Sequence, residues 1–138
     1  MASNYMSVEK ALIESIHNMD LGLNLTMPNQ VENGEGGEWI HINNFRGQSV
    51  PVTLGDKGED KHIGILQADV KTGKGKGAGR VLYFADKIAS NYPAGKYLLA
   101  GDIKVRVEST TVDSGRIIDA NYIVSVSISY MFRTTRRG

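Results

Sequence analysis

A run of alternating side chains near the end of the chain limits the possible folds more than any other feature. Apolar or aromatic residues occupy every second position from Tyr122 to Phe132, and three serines lie between them. Side chains of a β-strand alternate between its two faces, so this pattern predicts a long strand with one buried face. Ile103 to Glu108 alternates in the same way, and a polar turn, Asp113 to Gly115, lies between the two segments. We therefore expect an antiparallel hairpin within a half-buried sheet.

Two further segments have the spacing of amphipathic helices. The first begins at Ser7, a residue type that caps helix N-termini, and ends at Gly22. The second carries an apolar stripe from Val81 to Tyr92 and ends before Pro93. Together with the strands, these helices predict an α+β domain with an antiparallel or mixed sheet and two main helices packed on one face.

Shorter extended segments lie between the two helices. Glu38–Phe45 and Ser49–Leu54 have the composition of strands, and Pro51 places the second at a sheet edge or a bulge because proline cannot donate to the ladder. His62–Val70 has apolar residues at both odd-numbered and even-numbered positions. Either both faces of this strand are buried, or a bulge near Gly64 shifts its phase.

Two polar, glycine-rich stretches predict long flexible loops, at Asn29–Gly37 and at Lys71–Gly79. We also expect the lead-in Met1–Tyr5 and the tail Thr134–Gly138 to be flexible. No linker or internal repeat divides the 138 residues, so residues 1–138 are predicted to form one domain.

Composition excludes several classes of protein. The chain has no cysteine, which removes disulfides, thiol nucleophiles and cysteine-ligated metals. It has no apolar run near the roughly 18–20 residues of a membrane span, and its start lacks the pattern of a secretory signal. We expect a soluble protein that folds in a reducing compartment. The formal net charge of +1 is far from the basic excess of a dedicated nucleic-acid binder.

No pattern in the sequence indicates chemistry. Gly73, Gly75 and Ala78 fit a loose dinucleotide fingerprint, but the second parallel strand with its acidic residue does not follow. The three histidines lack the spacing of metal ligands, and no nucleophile-elbow motif occurs. We predict no catalytic residue, no cofactor and no metal, and hence a protein that is not an enzyme.

The charged residues instead suggest contact between subunits. Glycine-rich stretches carry a basic set and an acidic set of opposite sign, which suits self-association. The basic set is Lys71, Lys74, Lys76 and Arg80, and the acidic set is Glu32, Glu35 and Glu38. We predict that the basic set of one subunit meets the acidic set of its neighbour. The alternative is a small accessory protein that holds nucleic-acid phosphates through the basic set; without interleaved aromatics, sequence-specific binding is not expected.

Much of the chain resembles the tail terminator, or tail completion, proteins of long-tailed bacteriophages with non-contractile tails. The resembling elements are the strand GILQADV at Gly64–Val70, the lysine- and glycine-rich stretch after it, and the helix at Val81–Leu98 with its pair Ala85-Asp86. The strands at Ile103–Ser109 and Tyr122–Phe132 follow in the family's order, and the opening helix at Ser7–Ile16 fits the family's start. The acidic loop Asn29–Gly37 matches no family pattern, and its role stays open.

The resemblance implies a structural virion protein. It implies a small α+β domain, made in the host bacterial cytoplasm, that assembles with copies of itself into a hexameric ring at the head-proximal end of the tail. The ring would cap the tube, stop polymerisation of the tube protein and dock the head–tail connector protein. A rival in the same setting is another ring of the neck, or the tail-tube subunit itself.

Overall fold

The computed structural model describes residues 4–27, 38–51, 58–73, 79–118 and 121–135. Within these residues the chain forms two helices, α1 (Asn4–His17) and α2 (Gly79–Ser90), and eight strands. The strands are β1 (Asn24–Thr26), β2 (Trp39–Arg46), β3 (Val50–Pro51), β4 (Glu59–Gly73), β5 (Tyr97–Ala100), β6 (Ile103–Val112), β7 (Arg116–Ile118) and β8 (Asn121–Thr135). The predicted α+β class is confirmed.

The strands form one mixed sheet in the order β1-β2-β4-β8-β6-β5. Its centre is the antiparallel pair β4 and β8, which are 15 residues each and run in continuous register from Glu59 opposite Thr135 to Gly73 opposite Asn121. β1 is parallel to β2, and the other pairings among the described strands are antiparallel. The short β3 pairs with β4 beyond the end of β2, so Pro51 lies at a sheet edge as its missing N–H requires.

One face of the sheet, here called the inner face, carries the core. Alternate residues of β8 from Val124 to Phe132 are buried there, beside Leu66, Ala68 and Val70 of β4. Both helices contribute to the same cluster, α1 through Leu12 and its helical neighbours and α2 through its buried stripe. That the two helices pack together on one face stays a prediction.

The structure corrects several predicted boundaries. α1 begins three residues before Ser7, so Tyr5 belongs to the helix and not to a flexible lead-in; its ring packs edge-on against Phe132. β8 continues through Thr134 and Thr135 because β4 offers partners that far. β4 likewise runs to Gly73, so Lys71 lies in a strand and not in a loop. The predictions for Asn29–Gly37, and for Lys74 and Lys76, lie outside the described residues, as do those for the chain ends before residue 4 and after residue 135.

Neither interpretation of His62–Val70 is correct. β4 pairs with β8 without a register shift, and the bulge of the described strands lies instead in β6, between Val107 and Ser109. Ile63 and Ile65 point to the outer face, opposite the core, where they are exposed. The even-numbered apolar residues of this strand therefore belong to the core, and the odd-numbered ones, Ile63 and Ile65, form an exposed apolar surface on the outer face.

Candidate assembly surfaces

Three members of the predicted charged sets lie together at one end of the sheet. Glu38 immediately precedes β2, whose first residue, Trp39, pairs with Lys71 of β4. Arg80 lies in the first turn of α2, and its Nε donates a hydrogen bond to Oε1 of Glu38. The acidic side chain is 11% exposed and the basic one 73%, so the pair is open to solvent on one side. The remaining members, Glu32, Glu35, Lys74 and Lys76, lie outside the described residues.

The pair of Glu38 with Arg80 forms within one chain, whereas the sequence prediction assigned Glu38 to a cation of a neighbouring subunit. The Arg80 guanidinium also lies over the ring of Phe84, 5.5 Å from its centroid. A partly exposed ion pair contributes only about 0–1 kcal/mol to stability, so this contact fixes the direction of two side chains more than it stabilises the fold. The contact between subunits stays a prediction.

The outer face of the sheet holds an apolar patch that sequence reasoning assigned to the core or to a bulge. Phe45 of β2 pairs with Ile65 of β4, and Ile63 lies two residues along the same strand. These side chains are 52%, 41% and 44% exposed, respectively. They line a depression of about 520 Å³ that Lys61 and Glu108 border. Clustered exposed apolar side chains of this kind are typical of surfaces that another protein covers.

A second, more basic depression of about 730 Å³ continues across the same outer face. Its lining includes Tyr97 of β5, Arg106 of β6, and Met131 and Arg133 of β8. The register explains the order of these residues, because Ile63 pairs with Met131, Met131 with Arg106, and Arg106 with Tyr97. Across the sheet, this row of the outer face therefore carries two apolar side chains, one cation and one aromatic ring.

His62 joins the start of α1 to the sheet. Its Nδ1 lies 2.8 Å from Oη of Tyr5 and 2.7 Å from Oγ of Ser49, and its Nε2 lies 2.7 Å from Oγ1 of Thr134. The imidazole stacks on the ring of Phe132, with 4.7 Å between centroids. Burial lowers the pKa of His62 below 6.5, and the charge of Asp60 opposes this shift. These neighbours hold a neutral ring in place, which is a structural role.

A buried carboxylate on the outer face has structural partners too. Oδ1 of Asp69 accepts hydrogen bonds from Oγ of Ser125 at 2.5 Å and from Nε2 of Gln67 at 2.9 Å. Arg116 bridges Ser125 to Asp113, which fixes the turn before β7. Among the described residues no group of three His, Asp or Glu side chains is arranged to hold a metal ion, and no helix is long and apolar enough to cross a membrane.

Comparisons with known proteins identify the fold and the family of the chain. Nine chains of solved structure match; one has a TM-score of 0.77 over 95% of this chain and 96% of its own, at 14% sequence identity. At that identity the likeness shows the fold alone. No curated protein sequence matches the chain. The family model described as "Phage tail terminator protein" matches residues 7–130, nearly the whole chain. The resemblance inferred from the sequence is therefore confirmed: the chain belongs to the phage tail terminator family, and it is a structural component of the virion tail.

Proposed function

We propose that the protein closes into a ring of six copies at the head-proximal end of a non-contractile phage tail. The ring caps the tail tube, stops addition of tube subunits and presents the surface to which the head–tail connector docks. The family match over residues 7–130 is the observation that carries this proposal.

The exposed apolar patch on the outer face supports assembly. Phe45, Ile63 and Ile65 lie side by side on a face that the chain's own core does not cover. Burial of apolar area contributes roughly 25 cal/mol per Å², so covering such a patch favours association. A contact between two different patches repeats around a closed cycle and forms a ring, which is the geometry that a tube end needs.

The basic set serves assembly as a contact surface. Lys71 and Arg80 lie at the end of the sheet where Glu38 precedes β2, and each exposed ion pair there contributes little by itself. We expect reversal of the whole basic set (Lys71, Lys74, Lys76 and Arg80 to Glu) to weaken ring closure or capping. Since salt screens exposed charges beyond about 10 Å at 0.1 M, the difference between variant and wild type should shrink at high salt.

The experiment is complementation of a phage that lacks this protein, with tail lengths measured by electron microscopy. Wild-type protein should restore tails of uniform length that join heads, and negative stain of the purified protein or of tail ends should show a ring. The charge-reversed variant should give overlong tails without heads. A control variant reverses an exposed cation elsewhere, Lys10 on α1, and should behave as wild type.

Two results would overturn the proposal. Wild-type protein that stayed monomeric at all concentrations, with no ring on isolated tails, would contradict ring formation. A charge-reversed variant that lost DNA retention while keeping normal tails would favour the nucleic-acid alternative for the basic set.

A further inference from the structure

The outer face presents apolar side chains together with charges of both signs. The two depressions, here together called the outer groove, are lined by residues of β2, β4, β8, β6 and β5. Phe45 and Ile65 lie at one end and Tyr97 at the other, with Arg106 and Glu108 on the β6 strand between them. Four spacings of about 4.8 Å between neighbouring strands make the groove roughly 19 Å long.

Helix α2 carries a surface with these properties. Its buried stripe lies in the core, whereas Leu82 and Tyr83 are exposed on the other side, 38% and 59% respectively. Asp86 and Lys87 follow one turn later on the exposed side and provide both charges. Twelve residues at about 1.5 Å each make α2 roughly 18 Å long, which matches the groove.

A chain cannot fill its own outer groove with α2. The buried stripe of α2, which includes Phe84 and Ile88, packs in the same cluster as the inner face of β4 and β8. The exposed side of α2 therefore faces away from the sheet, and the outer groove lies on the sheet's opposite face. Only a second copy can bring the two surfaces together.

We propose that α2 of one copy lies in the outer groove of the next, with Leu82 and Tyr83 on the apolar patch. Asp86 then lies toward Arg106 and Lys87 toward Glu108. The inference rests on the proposed function, because it identifies the partner surfaces of the ring contact. The contact is heterologous, so each copy offers a helix on one side and a groove on the other, and the series ends only when the ring closes.

Cysteine cross-linking tests this contact directly, because the chain has no cysteine of its own. One chain carries both Ile65→Cys and Tyr83→Cys, and a short bifunctional maleimide joins nearby thiols. The expected result is a ladder of covalent species from dimer to hexamer on a denaturing gel. The matched control pairs Tyr83→Cys with Met6→Cys, which is as exposed (63%) but lies on α1 outside the groove. It should give no species beyond dimer.

The outcomes separate this inference from the proposed function. A ladder no longer than that of the control would overturn the inference, even if wild-type protein forms rings and controls tail length. A ladder without rings or tail-length control would support the inference and contradict the proposed function. Ile65 and Tyr83 are exposed, so folding should persist; a second pair, Phe45→Cys with Leu82→Cys, repeats the test should the first variant fail to fold.

Discussion

Gly64 lies under a buried aromatic ring, and its replacement by alanine tests the packing of β4 against β8. Gly64 pairs with Tyr130 across the two central strands. A Cβ added at Gly64 would lie 2.6 Å from Cζ and 2.5 Å from Oη of Tyr130, and 3.1 Å from the carbonyl oxygen of Phe45. Tyr130 is only 3% exposed, and its hydroxyl donates a 2.6 Å hydrogen bond to Oδ1 of Asn44. The ring must move to admit a methyl group, and this bond must then lengthen or break.

The expected cost of Gly64→Ala is the sum of three effects. Overpacking a tight core site costs about 1–3 kcal/mol. Loss of the hydrogen bond from Tyr130 adds about 1 kcal/mol. Alanine in a strand interior offsets roughly 0.5–1 kcal/mol through the lower entropy of the unfolded chain. The free energy of unfolding should therefore fall by about 2 kcal/mol.

Urea unfolding, followed by circular dichroism, measures this loss. Gly79→Ala is the control, because a Cβ there meets no atom within 4 Å, and its unfolding free energy should change little. Tyr130→Leu removes Cζ and Oη, the two atoms nearest the added Cβ, so Gly64→Ala should cost much less in that background. A loss below about 0.5 kcal/mol, or equal costs in both backgrounds, would refute the argument from steric overlap.

Further predictions concern polar contacts between distant segments. Tyr92→Phe removes the 2.5 Å contact between Oη of Tyr92 and Oγ of Ser15. Urea unfolding should show that the free energy of unfolding falls by about 1 kcal/mol. The double variant with Ser15→Ala should lose less free energy of unfolding than the two single variants added together. Because burial lowers the pKa of His62 below 6.5, the unfolded chain binds a proton at this residue more tightly than the folded chain does. The contribution of His62 to the free energy of unfolding should therefore be fully present above pH 6.5 and should decline as the pH falls below that value. His62→Gln should flatten that decline in urea midpoints measured at several pH values, and an unchanged slope would assign it to other groups. Arg80→Ala breaks the pair with Glu38 and should cost less than about 1 kcal/mol by the same assay, whereas a loss above 2 kcal/mol would mean that the pair supports the packing of α2.

Local periodicity was sufficient to predict much of the fold. The alternation from Tyr122 to Phe132 identified β8 and the face it buries, because a strand's side-chain period fixes which residues share a face. Helical spacing identified the buried stripe of α2 in the same way. The prediction that the second helix ends before Pro93 is confirmed, since α2 ends at Ser90. The first helix was predicted to end at Gly22, but α1 ends at His17, five residues earlier.

Tertiary structure alone decided which surfaces meet and which stay bare. Ile63 and Ile65 have the composition of core residues, but periodicity gives only their shared face. Among the described residues these two side chains stay exposed on the outer face, whereas Leu66 and its neighbours fill the core. Lys71 lies in a strand because both β2 and β8 pair with β4 that far, although a glycine-rich stretch follows it from Gly73. Glu38 and Arg80 are 42 residues apart, and their contact depends on the end of the sheet lying beside the start of α2. Such contacts join segments that are distant in sequence, so no local pattern of residue types can predict them.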